Sequence, residues 1–591
     1  MKSSKYILLG ALFCLSLPFI SACSQSEEGT TLRILNMEDY IYLYEGEGDE
    51  DTVTPEEDKM DLIDQFARDM EVKHPEMGKI TVIYTTTDTN ETLYNEIKTG
   101  KAVYDIICPS DYMIQKLIND NLIEKLDKSL VPNYYGEDSD VCDYIKNQFG
   151  EIEAKNLKSG ITEKVDDYSV GYMWGTLGIL YNPDYFDENI AEEIHDDVQT
   201  WDMLWDEKYQ GTISIKNSMR DTYAVGILKA YEDDLRSYKE SNTLDKYNKH
   251  LKEVFNSFDQ ESVDAVKEVL NTLKKNIFGL EVDSGKLDIT TGKIGVNIAW
   301  SGDAIYSMEL AADEDQTLYY SIPDLGSNVW FDGWVMPTRP NSQPRSENEK
   351  ILAHEWLNYL CDPHVAKENM EYTGYTSFVG GEEVRDMIVD WYDARTSFLS
   401  TEIDGESYDI FYEDDNEEPI YLTIEDFDEA HNDAYNDKPL FYENSNGEKV
   451  AFNDPLIEDE KVPLTYGDIT IEKLVAHEDV KVVDDIKYFF GDYTFYSTSY
   501  LPFEGNESAG LDFFCQFPSE KTIKRCAVMA YDYKNNDRVV KMWEDFKSDP
   551  LPIWAIILFA LELLGIGAIV LYMLLNRRIK QKIRKNRLES K

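Results

Sequence analysis

The sequence predicts an α/β fold, and two observations support this prediction. Short apolar runs typical of buried strands recur along the chain, and between them apolar residues recur at helical spacing. Strands and helices also alternate instead of forming separate blocks, which favours strand–helix–strand units. Alternation of this kind indicates a parallel sheet with helices packed on its faces.

The predicted elements follow one another in a regular order. An acidic loop separates the first strand, at 31–35, from a helix whose apolar face is formed by Leu62, Phe66 and Met70. Further strands are predicted at 80–84, 105–107, 178–181, 211–215 and 294–300, and further helices at 90–98, 112–117, 222–231, 263–275, 347–360, 365–370 and 539–547. Residues 401–440 break this pattern with fifteen Asp or Glu, one Lys and interleaved aromatics, which predicts an acidic insertion of unassigned fold.

The charge of the chain narrows the possible functions. The 591 residues contain 115 Asp or Glu and 57 Lys or Arg, a formal net charge of −58. This excess argues against a nucleic-acid partner, because binding to phosphates needs clustered Lys and Arg. An aromatic content of 13% excludes a disordered acidic tail. The charge therefore favours either a cationic partner or an acidic, well-solvated surface.

The N-terminus has the layout of a secretory signal peptide. Lys2 and Lys5 precede an apolar run, which ends in small residues just before Cys23. The ending resembles a bacterial lipobox, so residues 1–22 are predicted to be a lipoprotein signal peptide and Cys23 the lipidated residue. The alternative is an ordinary signal peptide with an incidental cysteine.

The C-terminus predicts a membrane helix. Residues 553–575 are apolar apart from Glu562, and this length spans a bilayer. The basic tail at 576–591 then places the C-terminus in the cytoplasm and residues 24–550 outside. The chain is thus predicted on the extracellular face of a bacterial cell membrane, attached to the bilayer through Cys23 and 553–575. Glu562 is interpreted either as a contact with another membrane subunit or as a tolerated, protonated carboxyl.

Motifs for catalysis and metal binding are missing from the sequence. The run His354-Glu355-Trp356-Leu357-Asn358 lacks the second histidine of a zinc-protease helix. No P-loop and no nucleophile elbow is found, and the cysteines show no CxxC spacing. We therefore expect a binding protein and not an enzyme, with neither cofactor nor metal. Cys108 is interpreted as a small core residue at a strand end.

Four scattered segments join aromatic residues to carboxylates or hydroxyls near strand ends. In open α/β sheets, ligands bind outside the carboxyl ends of the strands, so the loops that carry these segments are expected to converge on one cleft. Aromatic faces attract ammonium groups, and carboxylates bind them through charge-assisted hydrogen bonds. The segments are 36–40, 109–112, 300–303 and 330–334.

These segments lie within an ordered series that resembles the extracellular spermidine/putrescine-binding proteins of ABC transporters. The series includes Tyr104-Asp105-Ile106-Ile107-Cys108-Pro109-Ser110-Asp111-Tyr112, Ile298-Ala299-Trp300-Ser301-Gly302, Trp330-Phe331-Asp332 and Tyr372-Thr373-Gly374-Tyr375. It covers about residues 31–395 and resumes at 514–547. The resemblance implies a two-lobed periplasmic-binding-protein fold of type II, with a hinge and a cleft that closes on a polyamine.

The resemblance also implies domain boundaries. They are an anchor linker at 23–30, lobe 1 at 31–135, lobe 2 at 136–299, a return to lobe 1 at 300–395, the acidic insertion at 396–510 and the end of the binding fold at 511–549.

By position, the resemblance implies roles for individual residues. Tyr40, Tyr112, Trp300 and Trp330 form aromatic walls, Asp332 and Asp221 bind amine ends, and Ser110 hydrogen-bonds the ligand. The sequence departs from the family at Met37, which replaces an aromatic, at Ser218, which replaces a carboxylate, and at Met529, which replaces an amide. Glu38 or Asp39 is expected to supply relocated charge.

The leading hypothesis is therefore the polyamine-binding component of an ABC importer, with permease subunits as partners. Two alternatives stay open: a receptor for another organic amine or a quaternary ammonium compound, and a surface sensor or interaction protein.

Overall fold

The computed structural model describes residues 29–43, residues 61–392 apart from 101 and 315, short segments between 400 and 505, and residues 506–548. Cys23, the predicted signal peptide, the predicted membrane helix at 553–575 with Glu562, and the basic tail lie outside the described residues. Within those that are described, no helix is both long and apolar enough to span a bilayer.

One mixed sheet of twelve strands organises the molecule. Its main path has the order Ile80–Thr87, Thr30–Met37, Ile106–Ile107, Val329–Pro337, Ser169–Tyr181, Val296–Trp300, Ile213–Lys216 and Ile277–Glu281. The remaining strands of this sheet are Ile123–Glu124, Tyr319–Ser321, Thr376–Ser377 and Ala509–Gly510.

The predicted α/β class is confirmed, but the prediction of a parallel sheet is only half right. Thr30–Met37 runs parallel to both of its neighbours, and Ile213–Lys216 runs parallel to both of its own. Between these two parallel halves, Val329–Pro337 and Ser169–Tyr181 pair antiparallel with each other and with the strands on either side. The sheet is mixed because these two strands carry the chain between the halves.

Helices cover the sheet on both sides of this junction. The α-helices are Leu62–Lys73, Asn90–Thr99, Asp111–Asn119, Pro132–Tyr135, Asp143–Gly150, Glu188–Asp197, Met219–Ala230, Glu232–Ser241, Leu244–Phe255, Gln260–Leu273, Gly285–Thr290, Ser301–Ala312, Glu347–Tyr359, Pro363–Thr373, Gly381–Trp391, Lys487–Phe490, Asp512–Gln516, Glu520–Ile523 and Asn536–Lys547. Short 3₁₀ turns lie at Pro75–Met77, Lys128–Leu130, Val165–Asp167, Pro183–Tyr185, Trp201–Trp205 and Glu207–Tyr209.

Local sequence explains where these helices begin and which face they bury. In Leu62–Lys73 the Asp61 side chain accepts a hydrogen bond from the Asp64 amide, which satisfies a free N–H of the first turn. The buried residues Leu62, Phe66 and Met70 recur at every fourth position and pack against the sheet.

Two hydrophobic clusters define two lobes. The first contains Phe66, Leu117 and Trp356, and the second contains Tyr223 and Leu270. Ser169–Tyr181 is buried along all 13 residues and contributes to both clusters. Ser169–Tyr181 is therefore a core element of both lobes.

Two stretches show that cluster membership departs from the predicted lobe boundaries. Residues 141–174 pack into the first cluster, whereas the sequence placed them in lobe 2. Near the end of the predicted acidic insertion, Ile486, Phe489 and Tyr500 are also buried in the first cluster. The first difference arises because the chain begins to contribute to the second cluster only within Ser169–Tyr181.

The remaining strands form smaller sheets. The described part of the acidic region contains one sheet of five strands, formed by Ser400–Ile403, Glu406–Glu413, Pro419–Tyr421, Phe441–Glu443 and Lys449–Ala451. Two-stranded sheets pair Lys481–Val483 with Phe495–Ser497 and Glu153–Lys155 with Thr162–Lys164. Cys108 is buried next to a strand end, as predicted, and five described cysteines are free thiols.

Candidate functional site

The predicted site residues meet where strands of the two parallel halves end. Tyr40 and Ser110 follow Thr30–Met37 and Ile106–Ile107, and Trp300 ends the strand Val296–Trp300. Trp330 and Asp332 lie in Val329–Pro337, which joins the halves, and Asp332 forms an isolated bridge with Ser110. The carboxyl ends of the strands thus bring these segments together, as open α/β sheets do.

Asp332 is a carboxylate that lacks a cationic partner. Its Oδ2 accepts a 2.6 Å hydrogen bond from the Tyr40 hydroxyl. Its Oδ1 is buried and accepts no hydrogen bond from any residue that the structure describes, and no described Lys or Arg forms a salt bridge with it. Burial raises the pKa of Asp332, although hydrogen bonds from Tyr40 and Ser110 oppose this effect. The free oxygen is therefore a vacant acceptor for a cation.

Aromatic rings surround this carboxylate. Tyr40 packs edge-on against Tyr172 and Tyr375, with both centroid distances 5.4 Å. Tyr375 in turn packs against Trp330 at 5.7 Å, and the Trp330 Nε1 is buried without a described acceptor. Hydrogen bonds from Asn36 and Tyr172 to the Tyr40 carbonyl fix the position of the Tyr40 loop. An ammonium group at Asp332 would lie among π-faces that attract it.

Two glycines make room for these rings. A Cβ on Gly175 would lie 2.5 Å from the Trp330 ring, and a Cβ on Gly302 would lie 2.6 Å from the Tyr375 ring. Any side chain at either position would displace a wall of the aromatic cluster.

Ser110 is held in place from the first lobe. The Asn90 side-chain amide donates to the Ser110 Oγ at 2.9 Å, and the Asn90 Oδ1 accepts from the Ser110 backbone N–H at 3.0 Å. This reciprocal pair fixes the Ser110 hydroxyl beside Asp332.

Tyr112 faces a cation that belongs to the chain itself. The Arg220 guanidinium lies 4.3 Å from the centroid of the Tyr112 ring, and the Tyr112 hydroxyl donates to Glu91 at 3.2 Å. Arg220 Nη2 also donates to the carbonyls of Met529 at 2.6 Å and Ala530 at 3.0 Å. Since Arg220 lies on a helix of the second lobe and Tyr112 on a helix of the first, this contact joins the two lobes.

Asp111, next to Tyr112 in the predicted segment 109–112, is a further buried carboxyl to which the sequence analysis gave no individual role. Its Oδ2 accepts from the Phe331 amide at 3.1 Å. Burial raises the pKa of Asp111 to about 7, against the opposing effect of the Arg220 charge. This group therefore changes charge near neutral pH.

Asp221 lies in the first turn of Met219–Ala230, where the Ser218 side chain accepts from its amide. It is 7% exposed, and burial raises its pKa. Hydrogen bonds from Ser218 and Trp300 and the charges of Lys216 and Arg220 act in the opposite direction. In contrast to Asp332, Asp221 is thus already faced by cations of the chain.

Lys216 ends the strand before this helix and is 1% exposed. Its ammonium lies 2.7 Å from Asp303 Oδ2, 2.9 Å from Glu281 Oε1 and 4.4 Å from the centroid of the Trp300 ring. Burial disfavours the charged form of Lys216, but the negative charges of Asp303 and Glu281 outweigh this effect of burial and raise the pKa of Lys216. The Tyr375 hydroxyl donates to the second oxygen of Asp303 at 2.9 Å, which connects this group to the aromatic cluster.

Glu38 and Asp39 have exposed side chains in the turn after Thr30–Met37, and Asp39 has a positive φ of 51°. The structure therefore brings the predicted site residues into two groups. One contains Tyr40, Ser110, Trp330 and Asp332. The other contains Tyr112, Asp221 and Trp300 and lies beside the cations Lys216 and Arg220. Glu38 and Asp39 remain at the surface.

Sequence reasoning missed Lys216, Arg220 and Glu281, and it gave Asp303, in the segment 300–303, no individual role. The available signal was position, since Lys216 and Arg220 flank the loop that follows a predicted strand. A lysine at a strand end is usually solvated, however, so its burial could not be anticipated.

Comparisons with known proteins show which family the chain resembles over more than half of its length. The family described as bacterial extracellular solute-binding protein matches residues 62–391. A spermidine/putrescine-binding periplasmic protein of Salmonella typhimurium is 25% identical over 315 residues, which cover 53% of this chain and 72% of its own. A putrescine-binding periplasmic protein of Pseudomonas aeruginosa is 25% identical over 355 residues, which cover 59% and 78%. Among solved structures, a spermidine/putrescine transporter substrate-binding protein of Streptococcus pneumoniae matches with a TM-score of 0.41 and 24% identity, covering 59% of this chain and 84% of that one.

Proposed function

Because this chain belongs to the family of bacterial extracellular solute-binding proteins, we propose that it is the polyamine-binding component of an ABC importer. It captures spermidine or putrescine between its two lobes and delivers the ligand to permease subunits in the membrane. Members of this family are transport proteins that bind solutes, not enzymes.

The vacant oxygen of Asp332 is the observation that carries this proposal. Buried carboxylates are normally paired with a cation, because removing a charge from water is costly. Asp332 has hydrogen-bonding neighbours and aromatic walls but no described cation. An ammonium group of a polyamine supplies the missing charge, and the methylenes next to it pack on Trp330 and Tyr375.

The remaining predicted residues have roles in the same proposal. Ser110 orients the carboxylate, Tyr112 and Trp300 line the cleft towards the second lobe, and Asp221 faces the far end of the ligand. Glu38 and Asp39 lie at the surface, where their negative charges attract the cationic ligand as it approaches.

Capture requires the two lobes to close on the ligand without any chemical step. Domain closure of this kind is hinge motion at a few residues between the lobes. Here the antiparallel pair formed by Val329–Pro337 and Ser169–Tyr181 links the lobes, and Arg220 on Tyr112 is a contact that opening has to break.

Membrane attachment through Cys23 and residues 553–575 is part of the proposal on sequence grounds alone. Both segments lie outside the described residues.

Isothermal titration of the full-length chain with putrescine, spermidine and spermine tests the function. We expect at least one of these amines to bind with a Kd of roughly 1 µM, about −8 kcal/mol. If none of the three binds at millimolar concentration, the chain is not a polyamine receptor. An uncharged diol of matched length, 1,4-butanediol, is the negative control.

A further inference from the structure

Lys216 is held as a ligand ammonium would be held. An ammonium has three N–H donors; the Lys216 Nζ donates to Asp303 Oδ2 at 2.7 Å and to the Val282 carbonyl at 3.3 Å, and it forms an ion pair with Glu281 Oε1 at 2.9 Å. The fourth side faces the Trp300 ring at 4.4 Å. Two carboxylates, a carbonyl and an indole face are the groups that would recognise a ligand amine.

This built-in cation stands at one end of the proposed cleft. Trp300 is one of its predicted walls, and Asp303 shares a hydrogen bond with Tyr375 of the aromatic cluster. Lys216 also lines a small void together with Asp221, the carboxylate that faces the far end of the ligand. The cation is therefore part of the far wall of the site and not of a remote salt bridge.

The two ends of the site consequently differ in their need for charge. At the Asp332 end, one carboxylate oxygen has no described partner. At the other end, Asp303 and Glu281 are neutralised by Lys216, and Arg220 covers the ring of Tyr112. A second ammonium arriving there meets the ring face of Tyr112, which Arg220 already covers. It also meets the Asp221 carboxylate, which lies beside the positive charges of Lys216 and Arg220, and these repel it.

We propose that Lys216 is a specificity-determining residue that occupies the second amine end, so that this receptor selects short amines with one buried ammonium, putrescine in preference to spermidine. The inference rests on the proposed function and narrows its ligand class. The ligand places one ammonium at Asp332, and an additional ammonium that reaches the far end is repelled by Lys216.

Competition between amines on the wild-type chain is the first test. Titration of the full-length protein should give a Kd for spermidine at least about tenfold higher than that for putrescine, the equivalent of 1.4 kcal/mol. Equal or tighter binding of spermidine would overturn this inference and leave the proposed function standing. No binding of any amine would overturn both.

A charge-neutral double variant is the second test. Lys216→Gln combined with Glu281→Gln removes one positive and one negative charge, so Asp303 stays ionised and the Trp300 face becomes free. The spermidine-to-putrescine ratio of Kd values should fall at least about tenfold relative to wild type. An unchanged ratio in a variant that still binds putrescine contradicts the assignment.

Two single variants separate Lys216 from a general effect of charge. Glu281→Gln keeps the internal cation and should retain the wild-type ratio. Lys208→Gln removes a positive charge that pairs with Glu193 and Asp197 on the same lobe, and it should also leave the ratio unchanged. A shift of the ratio in either variant as large as in the double variant would refute a specific role for Lys216. If the double variant does not fold, the wild-type ratio and Lys216→Arg, which keeps the charge and should preserve the ratio, still decide the question.

Discussion

Asp332 and Asp303 are two carboxylates in the same site with opposite surroundings. Asp303 is bonded on both oxygens, by the Lys216 ammonium and by the Tyr375 hydroxyl. Asp332 is bonded on one oxygen by the Tyr40 hydroxyl and has the other free. The comparison teaches that a carboxylate whose partners are all internal supports the fold, whereas one with a vacant buried oxygen costs stability until a ligand arrives.

The largest expected effect is on stability. Asp303→Asn should lower the free energy of unfolding by about 3 kcal/mol, because it leaves the buried Lys216 with one carboxylate instead of two. Urea denaturation measures this change. Asp332→Asn is the matched control and should leave stability unchanged or raise it, since no described cation loses its partner. Equal destabilisation by the two variants would contradict the comparison.

The next effect is on ligand binding. Asp332→Asn should weaken putrescine binding about 100-fold, because it replaces a charge-assisted hydrogen bond by a neutral one in a buried site. Titration calorimetry measures the loss. Asp39→Asn removes an equal charge from the exposed turn and should change the Kd by less than about threefold, as expected for a screened surface charge. Retention of wild-type affinity in Asp332→Asn would refute the site.

A smaller effect is expected for the aromatic wall. Trp330→Ala should weaken putrescine binding about tenfold, because it removes the ring that packs on Tyr375 and faces the ammonium. Trp330→Phe keeps a ring and should recover part of the loss, which separates cation–π attraction from packing of the Nε1 edge. Fluorescence or calorimetric titration compares the two. Equal affinities of the alanine variant and wild type would remove Trp330 from the site.

The smallest expected effect concerns pH. The pKa of Asp111 is raised to about 7 in the folded chain by burial, above its usual value of about 4 when unfolded. Between these two pKa values the folded state binds the Asp111 proton more tightly than the unfolded state does. The stability that this protonation contributes is therefore complete below about pH 4 and is lost as the pH rises through 7. From pH 6.5 to pH 8, wild type should lose about 0.8 kcal/mol more stability than Asp111→Asn.

Urea titrations at the two pH values measure that difference. Parallel pH dependence of the two proteins would show that Asp111 is ionised throughout the range.

Much of the order of strands and helices could be predicted because it depends on local pattern, but the strands Ile277–Glu281 and Val329–Pro337 were not among the predicted ones. Leu62, Phe66 and Met70 recur at helical spacing, and the helix forms where they do. The strand Ser169–Tyr181 was foreseen only at its end, because Gly171, Gly175 and Gly178 lower strand propensity. The structure gives the reason for these glycines, since a Cβ at each would meet the ring of Phe378, Trp330 or Tyr320.

Part of the site could also be predicted from the sequence. Trp330 and Asp332 lie two residues apart on one strand. Tyr40 and Ser110 were identified because they lie in the segments 36–40 and 109–112 of the ordered series. Lys216 could not be predicted, because its partners Glu281 and Asp303 lie 65 and 87 residues away and its burial depends on all of them.

The sequence by itself determined the α/β class and the chemistry of the segments that meet at the strand ends, and it led to the proposal of an amine as ligand class. Only the tertiary structure decided which carboxylates are already neutralised and which one is vacant. The physical reason is that the free energy of a buried charge depends on the groups within a few ångströms of it, and these are brought together from positions as distant as Tyr40 and Asp332, 292 residues apart.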